Sequence, residues 1–273
     1  MTPRSAGVWE PQWLRRTRGH RDDKLSLYDR PVTVDSDDDL EGLARAGRVV
    51  ADARTAMVAA VAPGVTTGEL DAIGREVFRR YGARSAPRLT YHFPGSTCIS
   101  VNDEAAHGIP SITRSLRSGD LVNLDVSAEL DGYWSDTGVS VAVGAVSPLA
   151  GRLLEATRLA QRDSMDAARP GRRLRHMGRA VQSRARRHGF SVIQNLYGHA
   201  LHEAPSVPSV DDGQRTILWE GLVLAVEPFL SASADYVVDD PDGWTLRAAD
   251  GSLVAQFEHT MVVTHDGSFV LTS

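Results

Sequence analysis

Five side chains that could bind metal ions occur in segments of the sequence where a solvated charge is unexpected. They are Asp125, Asp136, His199, Glu227 and Glu258, and each lies in an apolar strand pattern or between Gly and Pro residues. Four carboxylates and one imidazole suit divalent first-row ions better than a structural zinc site, which favours Cys and His. Carboxylates can also bridge two ions that share a water molecule, so the set predicts metal-assisted hydrolysis.

The two aspartates are predicted to meet on one β-hairpin. Residues 121–126 are mostly apolar, and the pair Asp131-Gly132 that follows is a turn signal. Folding the ribbon about Leu130–Asp131 brings Asp125 opposite Asp136. Two carboxylates that face each other are destabilising unless a cation lies between them. The alternative for this pair is that one aspartate caps the turn and the other is solvated.

The chain pattern predicts two α+β halves. Helical periodicity covers residues 40–62, after an acidic run that should cap the helix, and a second helix follows a capping-box pattern. The segments 63–82 and 170–189 have equal length and similar ends. Each belongs to a helical pair that precedes a β-rich segment with acidic residues, which indicates a weak internal repeat. The arginines of the second copy are interpreted as a solvated face, with nucleic-acid contact as the alternative.

A further hairpin is predicted near the end of the chain. Residues 244–247 and 253–263 have strand character and are joined through the turn signal Asp250-Gly251. Alternation along the second strand places Gln256 and Glu258 on the same face.

Composition restricts the class of protein. The 273 residues are 42% hydrophobic, which allows one large or two small cores. The net charge of −5 argues against nucleic acid as the main partner. Cys98 is the single cysteine, so no intramolecular disulfide can form, which suits a reducing cytoplasm. No apolar run approaches the roughly 18 residues of a membrane helix, and no signal-peptide pattern follows Met1.

Residues 1–40 are expected to form an N-terminal extension, and residues 41–273 a single metal-binding domain. Trp9, Trp13 and the arginine run at 15–18 show neither helical nor strand periodicity. We interpret the arginine run as a solvated arm, with ribosomal RNA as the alternative partner.

The ligand residues and their flanks resemble the type I methionine aminopeptidases of the pita-bread superfamily, which includes prolidases and creatinase. The resemblance covers about residues 40–273 and is most specific at 98–110, 119–137, 221–228 and 255–263. It implies an α/β (α+β) pita-bread fold, with two pseudo-symmetric halves around a mostly antiparallel sheet. It also implies a cytoplasmic hydrolase that removes N-terminal methionine from peptides and nascent proteins.

The resemblance assigns the five ligand residues to two divalent ions, which could be cobalt, manganese, iron or zinc. Asp136 and Glu258 would bridge the ions, and Glu227 would also shuttle protons. His107 would contact the substrate near its scissile amide. His202 would hydrogen-bond the substrate carbonyl and the developing oxyanion.

The resemblance also places an apolar pocket for the methionine side chain. Its members would be Tyr91, Phe93, Cys98, His107 and Trp244. A thioether prefers soft and aromatic surroundings, so these residue types fit such a pocket.

Two departures from the family pattern leave the substrate open. The segment from Gly198 to Pro205 is about four residues shorter than in the family, and Arg88 stands near a usually small pocket position. The same metal site could therefore belong to a pathway-specific aminopeptidase or amidohydrolase. A third hypothesis is a peptide-binding homologue without catalytic activity.

The expected partners are a peptide or nascent-chain substrate and, through it, the ribosome. Neither a membrane nor a specific nucleic acid is expected as a partner, and the protein is expected to be a monomer.

Overall fold

The structure, a computed structural model, describes residues 33–201 and 205–273. The helices in these ranges are α1 (Asp37–Ala60), α2 (Thr67–Tyr81), α3 (Ala86–Tyr91), α4 (Pro148–Ala167) and α5 (Arg175–His188). The strands of the first half are β1 (Arg84–Ser85), β2 (Cys98–Val101), β3 (Glu104–Ala106), β4 (Leu121–Leu130) and β5 (Tyr133–Ala142). The remaining strands are β6 (Ser191–Val192), β7 (Gly198–Ala200), β8 (Ser206–Val207), β9 (Val223–Val226), β10 (Phe229–Ser231), β11 (Val237–Asp239), β12 (Leu246–Ala248), β13 (Val254–Thr264) and β14 (Gly267–Val270). Among these described helices, none combines the length and apolar character needed to cross a membrane.

The first helix begins earlier than residue 40 because its acidic start belongs to the helix itself. Ser36 is the N-cap, and its hydroxyl accepts a hydrogen bond from the amide of Asp39. Three aspartates then occupy the first turn, where negative charge is favourable at the positive end of the helix.

The other predicted helix boundaries have clear physical causes. Thr66 and Glu69 form the reciprocal capping box that the sequence predicts for α2. Gly82 and Gly189 end α2 and α5 in the left-handed conformation, with φ of 71° and 75°. The two helical pairs therefore end in the same way, as expected for a structural repeat.

Over residues 33–201 and 205–273, the large sheet has eleven strands, and its main path runs β1-β4-β5-β13-β9-β7-β8. Every neighbouring pair on this path is antiparallel. Strand β2 pairs with β4, and both β10 and β14 pair with β13. The strands β11, β12 and β3 form a separate small sheet in that order.

The hairpin predicted from residues 244–247 and 253–263 is wrong. Strand β12 pairs with β11 and β3, whereas β13 pairs with β5, β9, β10 and β14. Arg247 of β12 donates to Asp240, to Asp103 at 3.1 Å and to Glu104 at 3.0 Å. These ion pairs fix β12 beside residues distant in the sequence, and local alternation does not show them.

Two groups of helices give each half its own core. In the first half, Met57 of α1 and Leu70 of α2 are fully buried with Leu124 of β4. In the second half, Leu153 of α4 and Val181 of α5 pack in another cluster with strand residues. This arrangement agrees with the expected pair of α+β halves around one sheet.

The described part of the expected N-terminal extension contacts the domain. Thr33 forms a β-bridge with Leu222, and the amide of Val34 donates to the carbonyl of Gly221. Residues 1–32, with Trp9, Trp13 and the arginine run, lie outside the described ranges.

Two helix glycines, Gly178 and Gly151, give a matched test of how the helices of the second half pack. A Cβ at Gly178 of α5 would lie 2.1 Å from the carbonyl oxygen of Val210, a backbone atom that cannot rotate away. Gly178→Ala should lower the free energy of unfolding by about 1–3 kcal/mol through overpacking. Gly151 of α4 has no atom within 4 Å of the same position, so Gly151→Ala should raise stability by about 1 kcal/mol. Urea denaturation measures both, and equal changes would contradict the helix placement.

Candidate metal centre

Five adjacent strands each supply one of the five candidate ligands. Along the sheet order β4, β5, β13, β9 and β7, the residues are Asp125, Asp136, Glu258, Glu227 and His199. Glu227 follows the last residue of β9 directly, and the other four lie within their strands. Side chains that are far apart in the sequence are therefore neighbours across the sheet.

Strand register places the carboxylates of one row on a common face. Asp125 pairs with Gly138, and Gly138 pairs with Glu258. His259 pairs with Val226 in antiparallel register. Glu258, one residue before His259, therefore lies opposite Glu227, one residue after Val226. The first row across the sheet therefore contains three of the acids.

A second row lies two residues further along the same strands. His199 pairs with Ala225, and Ala225 pairs with Thr260. The hydroxyl of Thr260 accepts from the amide of Asp136 at 2.9 Å and donates to its carbonyl at 2.7 Å. Because strand residues two apart share a face, His199 and Asp136 lie on the same side of the sheet as the first row.

The direct pairing of Asp125 with Asp136 that the sequence suggested is wrong. The two-residue turn Asp131-Gly132 has φ of 53° and 89°, as a type I′ hairpin turn requires. Asp125 therefore faces Gly138, and Asp136 faces Ser127. The difference from the prediction is two residues, so both aspartates stay on the expected face.

Gln256 and Asn123 support the ligands, and the sequence analysis gave them no role in the site. The Gln256 amide donates to Glu258 Oε2 at 3.2 Å and accepts from Asn123 Nδ2 at 2.7 Å. A Cβ at Gly138 would lie 2.2 Å from Gln256 Oε1, so glycine leaves the room that this side chain occupies. Both amides stand two residues before a ligand on an apolar strand, which is the signal that could have identified them.

The distances around His199 fit a cation. Its Nε2 lies 3.6 Å from Glu227 Oε1 and 3.9 Å from Asp136 Oδ2. Two ligands at about 2.1 Å from one ion can be up to roughly 4.2 Å apart. The Nδ1 atom lies 3.2 Å from the Ala200 carbonyl, which can only accept, so Nδ1 carries the proton and Nε2 is free to bind metal.

Two buried carboxylate oxygens in the cluster also fit contact with a cation. Ligand atoms of Asp136, His199 and Glu258 lie within 4.8 Å of one another. Over the described ranges, the buried Oδ1 of Asp136 and Oε1 of Glu258 have no hydrogen-bond partner. Such atoms are costly unless an ion satisfies them, so the donor set fits divalent cations.

The electrostatics of the acids support the same conclusion. Burial and the negative charge of Asp136 raise the pKa of Asp125 well above its ordinary value. Burial and the neighbouring aspartates raise the pKa of Glu227, and burial with Asp136 and Glu227 raises that of Glu258. Burial also raises the pKa of Asp136, while His199 opposes the change. The four acids repel one another without a cation.

Cys98 lies opposite one of the acids, and His107 lies next to the strand that carries Cys98. Cys98 of β2 pairs with Asp125 of β4, and burial raises the pKa of the Cys98 thiol well above the usual value. The amide of Ile99 donates to the Gly108 carbonyl at 2.9 Å, which fixes His107 next to β2 with φ of 55°. Burial lowers the pKa of His107 to about 4, so its imidazole is neutral at neutral pH.

Three aromatic residues, Tyr91, Phe93 and Trp244, are expected to line the pocket for the substrate side chain. The rings of Phe93 and Trp244 meet edge to face, with centroids 5.2 Å apart and an angle of 82°. Tyr91 is the last residue of α3 and is partly buried, whereas Arg88 on the same helix is exposed. His202 lies outside the described residues, so its role stays a prediction.

Comparison with known proteins settles the family. Residues 41–265 match the family model described as metallopeptidase family M24. The chain belongs to this family. It is 45% identical over 247 residues to methionine aminopeptidase 2 of Bacillus subtilis (strain 168), across 88% of this chain and 99% of that relative.

Solved M24 relatives share the fold as well as the sequence. The methionine aminopeptidase of Rickettsia prowazekii is 36% identical with a TM-score of 0.83, across 87% of this chain and 98% of that one. The enzyme of Thermotoga maritima is 31% identical with a TM-score of 0.84, across 89% and 99%. The expected pita-bread fold is confirmed.

The raised pKa values predict that the metal-free protein loses stability as pH rises. A carboxyl whose pKa is higher in the folded than in the unfolded chain stabilises the fold below its unfolded pKa. That contribution is lost as pH rises through the raised pKa. The Tm of EDTA-treated protein should therefore fall between about pH 5 and pH 8, and added Mn²⁺ should restore it.

Thermal scans of the metal-free and Mn²⁺-loaded forms across this range measure the effect. The Tm difference between the two forms should grow with pH. A metal-free protein that is equally or more stable at the higher pH would contradict the buried acid cluster.

Proposed function

We propose that this chain is a dinuclear metallo-aminopeptidase that removes N-terminal methionine from peptides and nascent proteins. The observation that carries the proposal is the set of five ligand residues on one face of five adjacent strands. Relatives that are 36–45% identical and are named methionine aminopeptidases support the reaction and the substrate.

Two divalent cations would be held by Asp125, Asp136, His199, Glu227 and Glu258. Cobalt, manganese, iron and zinc all accept such a set of oxygen and imidazole donors, and carboxylates on neighbouring strands can bridge two ions. When bound, the ions would supply a water of lowered pKa and polarise the substrate carbonyl.

Glu227 would move the proton in this reaction. It stands at the end of β9 with its side chain 12% exposed, so one side reaches the substrate space. Burial and the neighbouring aspartates raise the pKa of its carboxyl, which is the direction that favours proton transfer by a carboxylate. Gln256 hydrogen-bonds the Glu227 side chain and so fixes its direction.

His107 would contact the substrate amide. Its imidazole is neutral because burial lowers its pKa to about 4, so it has one donor and one acceptor nitrogen. His202 would stabilise the developing oxyanion, as the family resemblance implies.

The first side chain of the substrate would bind among apolar groups. Phe93 and Trp244 supply an edge-to-face aromatic pair, and the neutral thiol of Cys98 lies beside the acids. Tyr91 would complete the pocket. Sulfur and aromatic neighbours favour a thioether such as methionine.

A second candidate keeps the metal centre and changes the substrate. The His199 side chain is 41% exposed, so one side of the candidate centre is accessible to solvent. A pathway-specific aminopeptidase or amidohydrolase would fit such a site. The binder without catalytic activity is not favoured, because the M24 relatives and the ligand geometry both indicate a metallopeptidase.

The partners and the location follow from the proposed reaction. Peptides and nascent chains would be the substrates. Action on nascent chains would bring the enzyme to the ribosome in the cytoplasm. The enzyme would act as a monomer. One cysteine in 273 residues suits a reducing compartment.

A cleavage assay tests the proposal. EDTA-treated protein is loaded with Co²⁺, Mn²⁺ or Fe²⁺, and Met-Ala-Ser is compared with Leu-Ala-Ser. Release of methionine, and little release of leucine, is expected with at least one metal. Asp136→Asn should lower kcat/KM by more than about 100-fold, because a lost ligand costs more than a lost supporting contact.

The outcomes separate the candidates. Protein that binds two ions but releases no methionine, and cleaves other aminoacyl amides, would favour the second candidate. Protein that binds no metal above background after reloading would refute both enzyme hypotheses.

A further inference from the structure

A charged side chain lies on the opposite face of the sheet from the ligands. Arg54 of α1 donates from Nη1 to the hydroxyl of Thr137 at 2.5 Å. Thr137 is fully buried and follows the ligand Asp136 directly. Because a guanidinium can only donate, the Thr137 hydroxyl keeps its own proton for the Glu258 carbonyl, 2.9 Å away. A directed chain of hydrogen bonds therefore links Arg54 to the backbone of a second ligand.

These hydrogen bonds lie where the regular backbone pairing of β5 with β13 ends. Backbone pairing ends at Thr137 and His259. One residue further, the amide of Asp136 bonds to the hydroxyl of Thr260 and not to a backbone carbonyl. The spacing of the strands between Asp136 and Glu258 therefore depends on threonine side chains, and these are the two ligands expected to bridge the ions.

Burial destabilises the charged guanidinium of Arg54 unless hydrogen bonds or a nearby acid compensate for the lost hydration. Within the described part of the chain it forms no ion pair, and Thr137 is its hydrogen-bond partner. His259 also faces it, and burial and the charge of Arg54 lower the pKa of this imidazole to about 4. The imidazole is therefore neutral and adds no positive charge. Glu258, across the sheet, is the acid that attracts the guanidinium.

We propose that Arg54 is a positioning residue for metal binding, which acts through the Thr137 hydroxyl to set the spacing of Asp136 and Glu258. The proposal rests on the ligand assignment made above. Arg54 touches neither the substrate nor the ions, because the sheet separates it from the ligand face. Groups that orient metal ligands from behind are known to affect metal affinity as strongly as 10–100-fold.

Matched variants separate the contributions to metal binding of the Thr137 hydroxyl, the Arg54 charge and an unrelated surface residue of the same helix. Thr137→Val removes the hydroxyl at similar size, and Thr137→Ser keeps it. Arg54→Met removes the charge and the donors, and Arg54→Lys keeps one charged donor. Arg48→Met on the same helix is the control, because Arg48 is exposed and forms no ion pair among the described residues.

Calorimetric titration of EDTA-treated protein with Mn²⁺ gives the Kd of each variant, and thermal scans of the metal-free forms report folding. Thr137→Val and Arg54→Met should raise the Kd by about tenfold or more. Thr137→Ser and Arg54→Lys should stay within about threefold of the unchanged protein, and Arg48→Met should match it. If Arg54→Met does not fold, the Thr137 pair carries the test.

Two results would overturn the role proposed for Arg54 and leave the metal centre itself unaffected. One is an unchanged Kd in both Thr137→Val and Arg54→Met. The other is tighter binding by Arg54→Met, which would mean that the positive charge only repels the cations. A third result, in which the unchanged protein binds no Mn²⁺, would overturn the metal centre as well and is distinct from the first two.

Discussion

Mutual repulsion of four carboxylates on one face of a sheet is the constraint on which the rest of the structure depends. Asp125, Asp136, Glu227 and Glu258 come from four adjacent strands, and burial raises the pKa of each. A domain of this size has only a small margin of stability, so an uncompensated cluster of this kind is a considerable cost. Divalent cations remove the repulsion, and they also supply the chemistry of a metallopeptidase.

The scaffold meets this constraint through small and polar residues placed around the acids. Gly138 stands between Asp125 and Glu258 in the first row and leaves room for the Gln256 amide. The Thr260 hydroxyl replaces backbone pairing at Asp136. Each half of the protein has its own apolar core, in which helices pack against strands of the sheet that carries the ligands.

The sequence singled out five candidate ligands because each is a polar residue in an apolar strand pattern or between Gly and Pro residues, and the fold places them on one face of the sheet. The sequence was also sufficient for the helix boundaries set by local capping, such as Thr66 with Glu69. The hairpin register was wrong by two residues, because the turn geometry at Asp131-Gly132 decides pairing and alternation does not.

Other features could not be predicted because they depend on contacts between distant segments. The partners of β12 are fixed by the ion pairs of Arg247 with Asp103 and Glu104, more than a hundred residues away in the sequence. The contact of Arg54 with Thr137 crosses from a helix to the sheet, and its sequence neighbours give no sign of it. A local pattern can identify a residue of unusual polarity, but only the folded chain shows what that residue contacts.

A crystal structure of the Mn²⁺-loaded protein, with anomalous scattering measured near the manganese edge, tests the central claim most directly. Two anomalous peaks are expected roughly 3.5–4 Å apart, with Asp136 and Glu258 contacting both and the other three ligands completing the site. A single peak away from these residues, or none in protein that is saturated with Mn²⁺, would contradict the account.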